Sequence, residues 1–74
     1  MWYRIESNAG ADHGVWSGQT ATEALCRMHQ SAGYDVSVLI DLGGRETLLF
    51  ASTEDAEICG DVDAWTIEEE SSDE

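Results

Sequence analysis

Cys26 and His29 lie three residues apart and Cys59 offers a third soft donor, so the first chemistry to weigh in this chain is zinc binding. A structural zinc site almost always takes four ligands, commonly as C-x-x-C or H-x-x-x-H pairs, and neither pair occurs. Cys26 and His29 are therefore read as flanking a buried helical stripe, and Cys59 as a small core residue; no metal is expected. Asp12 and His13 place an acid beside a base in a glycine-bearing segment. Neighbours in sequence do not orient one another as a catalytic triad does, and no Ser or Cys stands locally as a nucleophile, so the pair reads as an exposed loop. The glycines at 10, 14, 18, 33, 43, 44 and 60 form neither G-x-G-x-x-G nor a P-loop and read as turn residues. No cofactor and no enzymatic activity are expected.

Carboxylates are the abundant chemistry. The chain holds 16 Asp and Glu against 3 Lys and Arg, a formal net charge of -13, well past the magnitude of about 2 to 8 that suits solubility in a small domain. The basic residues are Arg4, Arg27 and Arg45, and no Lys, Arg or His follows Arg45. Self-repulsion of this kind destabilises a compact state. It disfavours direct binding to nucleic acid or an anionic membrane and makes a basic partner the natural complement. The candidate partner-binding acids are Glu46, Glu54, Asp55, Glu57, Asp61, Asp63, Glu68 and Glu69. Same-face strand residues sit about 6.5 Å apart and helix neighbours at i, i+4 about 5 to 6 Å apart, spacings that let ordered carboxylates approximate a row of phosphates. Residues 69–74 read as an acidic tail extending that surface. Among the aromatic residues, Trp65 is expected to pack in the core, and Trp2, opposite Tyr3 and Ile5 in the alternation, to be an exposed contact ring.

The elements that must position these groups follow from periodicity. A chain of 74 residues makes one domain, which buries only about 60 % of the surface its unfolded form exposes and leaves little room for an internal active site. "MWYRIES" alternates as a half-buried strand; "NAGADHG" is turn material, and "VWSG" is a short second strand closing a hairpin. Thr20 and Glu23 have capping-box spacing. Ala21, Ala24, Leu25, Met28 and Ala32 then share a helical face, Glu23 and Arg27 form an outer i, i+4 pair, and Gly33 is placed to end the helix. "YDVSVLID" and "ETLLFAS" are strands joined through "LGGR", a two-residue hairpin signature. "STEDAEICG" suits one helical turn capped by Ser52 or Thr53 and stopped at Gly60, and "VDAWTI" a last strand. The expected class is α+β: a small antiparallel sheet of four to five strands with one amphipathic helix on one face, in the order β-β-α-β-β-turn-β. Residues 1–68 form the domain.

Met1 is followed at once by Trp2, Tyr3 and Arg4, with no apolar stretch of signal-peptide type, so a cytoplasmic protein with free Cys26 and Cys59 is expected. In size, element order and charge the whole chain resembles the small acidic phage proteins called anti-CRISPR proteins. The resemblance implies a non-enzymatic inhibitor in the host bacterial cytoplasm that blocks a basic DNA-binding surface of a CRISPR effector complex by acidic mimicry of DNA. "DHGVWSGQTATEALCRM" is in addition similar to the strand and T-x-x-E-A-L helix of HicB-like antitoxins, without their proline-and-glycine-bearing connection. That second resemblance implies a small acidic accessory or antitoxin-like module binding its partner through a sheet edge or an aromatic face. Exposed edges would also permit a homodimer.

Overall fold

The computed structural model describes residues 1–70. The chain is α+β, in the order β1 (Trp2–Ser7), β2 (Asp12–Ser17), α1 (Ala21–Ser31), β3 (Val36–Ile40), β4 (Glu46–Phe50), α2 (Thr53–Cys59), a 3-10 turn (Val62–Ala64) and β5 (Trp65–Glu70). The strands divide between two antiparallel sheets, one ordered β2-β1-β5 and a separate hairpin of β3 and β4. Helix α1 packs on the first sheet. The core is Tyr3 and Ile5 from β1 against Ala24, Leu25 and Met28 of α1, with Trp16, Leu48, Val62, Trp65 and Ile67 packed around it.

Helix α1 begins as its sequence demands, with one change. The Thr20 Oγ1 accepts from the Glu23 amide at 3.2 Å, but the Glu23 carboxylate reaches past the cap to the amide of Gln19 at 2.6 Å. Among the described residues the ion pairs are made by Arg4, so the expected pairing of Glu23 with Arg27 is replaced by this backbone contact. At the other end, Gly33 takes φ +101 and a Schellman turn forms, with Gly33 N donating to Gln30 O and Tyr34 N to His29 O. Ala32 lies at that cap and is exposed, so the buried stripe runs through Thr22, Cys26 and His29 instead.

The other corrections are local. Strand β2 starts at Asp12, earlier than expected, because Gly14 at φ +91 permits a bulge: Arg4 faces Val15 while Glu6 faces Asp12. The β3–β4 connection, residues 41–45, is longer than a two-residue turn. Asp41 N donates to Arg45 O, Gly44 takes φ +83, and the Asp41 carboxylate accepts from the amides of Gly43 and Arg45 at 2.9 Å each. Helix α2 is longer than a single turn, and its N-cap is Ser52, whose Oγ accepts from the Asp55 amide. Strand β5 starts at Trp65, after the 3-10 turn has taken Val62–Ala64, and continues through Glu70. Glu69 pairs with Tyr3 and Glu70 with Trp2, so both belong to the sheet. The remainder of the proposed tail, 71–74, lies outside the described residues.

Gly18, where β2 hands over to α1, is buried against the helix start: a Cβ there would stand 2.7 Å from the Ala24 amide nitrogen. Only glycine lets the strand approach the first turn of α1 this closely.

Candidate functional site

The residue types that could do chemistry do not converge. Cys26 Sγ turns to the Val36 carbonyl at 3.6 Å, while His29 turns into an aromatic cluster, with ring centroids 5.3 Å from Trp65, 5.6 Å from Phe50 and 6.1 Å from Tyr34. Cys59, the last residue of α2, is buried, and Trp65 Nε1 donates to its carbonyl at 2.9 Å. Among the described residues no three His, Cys, Asp or Glu side chains are grouped so that they could hold a metal ion. Both cysteines are free. Burial pushes each thiol up: at Cys26 the Glu23 charge adds to it against the smaller effect of Arg27, and at Cys59 the Tyr34 hydroxyl opposes it. Thiols in that condition are poor nucleophiles.

Asp12 and His13 part company because successive strand residues point to opposite faces. Asp12 accepts from the Gly14 amide and pairs with Arg4 at 3.3 Å, while the His13 ring meets Trp65 edge-on at 5.1 Å. The two side chains do not act on each other.

The acids are held on folded elements in three places. The first is the outward face of the β2-β1-β5 sheet. There Trp2, Arg4 and Glu6 alternate with the buried Tyr3 and Ile5, and register sets Glu70 beside Trp2 and Glu68 beside Arg4. Arg4 Nε donates to Glu70 at 3.0 Å and Nη1 to Asp12, so this guanidinium, its proton held more firmly by Glu70 above all, offsets part of the charge on that face. Trp2 is 47 % exposed, as its place in the alternation requires.

The second place is a shallow cleft of about 150 Å³ lined by Arg45, Glu46, Thr47, Asp61, Val62 and Asp63. It unites three of the candidate acids across the start of β4 and the 3-10 turn. The third is α2, where Glu54, Glu57 and Ile58 fall on the exposed side and Asp55, Ala56 and Cys59 turn inward. Glu69 is exposed beside Tyr3 at the end of the sheet. The candidate acids from Glu46 onward are thus carried on separate elements. Sequence reasoning left Glu6 unassigned, read Asp12 as a loop residue and counted Glu70 with the tail; the place of all three on the outward sheet face depends on strand pairing.

Among the described residues no helix is long and apolar enough to cross a membrane. No protein-family model matches the chain, and neither the curated proteins nor the solved structures compared with it give a match.

Proposed function

We propose that this chain is a non-enzymatic inhibitor that occupies a basic, nucleic-acid-binding surface of another protein. The observation that carries the reading is the fixing of excess carboxylates to ordered elements: Glu46, Asp61 and Asp63 at one cleft, Glu54 and Glu57 on α2, and Glu68 on the sheet. Charges held in this way act together on a cationic surface without the ordering cost of a disordered tail, and they steer association. The resemblance in size, element order and charge to anti-CRISPR proteins makes a CRISPR effector complex the partner to test first.

The alternative, an antitoxin-like or accessory module, draws on the half-exposed Trp2 ring and on the free edges of β2 and β5. A pull-down with the full tagged chain from lysates of CRISPR-bearing bacteria separates the two. Mimicry predicts capture of the effector complex, release by salt, displacement by duplex DNA, and weakened capture by Glu54→Lys with Glu57→Lys. A partner that withstands high salt, ignores duplex DNA and is lost with Trp2→Ala supports the alternative and overturns mimicry.

A further inference from the structure

No element of the described residues covers the outward face of the β2-β1-β5 sheet: α1 packs against the opposite side, and every outward residue is exposed or half-buried. Register puts Trp2, Arg4 and Glu6 in a line along β1, with Val15 across from Arg4 on β2 and Glu68 across from it on β5. Val15 and Glu68 are therefore diagonal neighbours of Trp2, within reach of its ring. Trp2 is 47 % exposed and Val15 37 %. The other two indoles are committed to the fold: Trp16 Nε1 donates to the His13 carbonyl at 2.8 Å and Trp65 Nε1 to the Cys59 carbonyl at 2.9 Å, whereas Trp2 Nε1 has no acceptor among the described residues. A tryptophan left open in this way on a sheet face suits an interface anchor.

The charges on the same face determine what can cover it. Glu6, Asp12, Glu68 and Glu70 stand there around the cation Arg4. Arg4 Nε bonds to Glu70 at 3.0 Å and Nη1 to Asp12 at 3.3 Å, so these two carboxylates already hold a guanidinium, while Glu6 and Glu68 make no ion pair among the described residues. A guanidinium is planar: its face stacks on an aromatic ring and its edge donates to a carboxylate, a combination that suits the compact, strongly hydrated ammonium of lysine less well. The Trp2 ring with Glu68 diagonal to it offers both contacts. A second copy of this chain would bring another charge of -13 against the first, which opposes self-association at this face.

We infer that the outward face of the β2-β1-β5 sheet docks an arginine-bearing segment of the partner protein, one guanidinium stacked on Trp2 and donating to Glu68, and a further basic side chain at Glu6. The inference rests on the functional reading above for the partner's being a basic protein. It adds the place of contact and a preference for arginine over lysine, which net charge alone does not produce.

The test uses the full isotope-labelled chain and two synthetic peptides of equal length and charge, one alternating Arg with Ser and the other Lys with Ser. The Arg/Ser peptide is expected to bind about fivefold more tightly, the order of a cation–π contact at an exposed ring, and to shift the Trp2 indole signal together with the amides of Arg4 and Glu68. Trp2→Leu should bring its affinity down to that of the Lys/Ser peptide, and Glu6→Gln with Glu68→Gln should weaken both peptides. Thermal midpoints show that the variants fold, and the shifts on the unsubstituted chain keep the test decisive should Trp2→Leu unfold. Equal affinity for the two peptides, an arginine preference that survives in Trp2→Leu, shifts confined to α2 or to the Glu46 cleft, or a Trp2 indole signal that moves with protein concentration in the absence of peptide would each overturn the inference, the last by showing a second copy as occupant. The two readings also fail separately. Arginine preference through Trp2, with a captured partner that withstands salt and ignores duplex DNA, removes mimicry and keeps the docking face; capture that duplex DNA displaces and Trp2→Leu leaves intact, with equal peptide affinities, removes the docking face and keeps mimicry.

Discussion

His29 is the polar side chain whose position is hardest to reconcile with its chemistry. It is 2 % exposed, its Nε2 has no hydrogen-bond partner among the described residues, and its ring is enclosed by Trp65, Phe50 and Tyr34. Burial, aided by the nearby His13, lowers its proton affinity below the ordinary imidazole value of 6.5. The folded state therefore favours the neutral ring, while the unfolded chain takes up a proton as pH falls through about 6.5. The unfolded state binds more protons below that value, so the stabilising contribution of neutral His29 is fully present above it and is lost progressively as pH drops toward the lowered folded value. Urea midpoints measured from pH 7.5 down to pH 5 should fall more steeply for the parent chain than for His29→Phe, which keeps an aromatic ring and removes the orphaned nitrogen. Other titrating groups are common to both proteins and cancel in the comparison. Equal slopes would show that His29 does not titrate with unfolding. Helical periodicity placed His29 beside the buried stripe, but its aromatic enclosure is tertiary: Trp65 and Phe50 arrive from strands far along the chain.

The elements were legible in proportion to how local their determinants are. Helix α1 could be read because its cap, stripe and stop all lie within its own stretch of sequence. Thr20→Ala should cost about 1 kcal/mol by removing the acceptor for the Glu23 amide. For a domain of this size that is a fall of roughly 4 to 8 °C in thermal midpoint, and a change well under a degree would show that the Glu23–Gln19 contact holds the helix start alone. The β3–β4 hairpin was equally plain, although its loop length was set by a detail below the level of pattern, the Asp41 carboxylate accepting two turn amides. Strand β5 was harder. Val62, Ala64, Trp65 and Ile67 suit a strand, yet the 3-10 turn takes the first two, and the strand runs on through a string of glutamates with no β-propensity of their own. Pairing with β1 overrides that local preference, and Arg4, fixed in the middle of the face, makes room for Glu70 there. The candidate acids were thus identified by residue type, while their division into a sheet face, a cleft and a helix side came from pairing and packing that no local pattern encodes.

For the whole molecule, the decisive quantity is the uncompensated charge. A body that carries -13 with ion pairs at Arg4 is held together by apolar burial against its own electrostatic repulsion. Screening that repulsion should stabilise it. The Debye length shrinks from about 30 Å at 0.01 M salt to about 10 Å at 0.1 M, and the longer range spans much of a molecule whose extents are 41 × 30 × 19 Å. The thermal midpoint should therefore rise by several degrees between those chloride concentrations, and neutralising Glu54, Glu57 and Glu69 to Gln should raise the low-salt midpoint and flatten its salt response. Chloride suits the measurement because strongly excluded salts such as sulfate stabilise most folds by another route. The same screening weakens attraction to a basic partner, so stability and binding should move in opposite directions as salt is added. A midpoint indifferent to chloride would mean that the carboxylates are too far apart to repel effectively, and so too dispersed to present the concentrated negative surface that binding by mimicry requires.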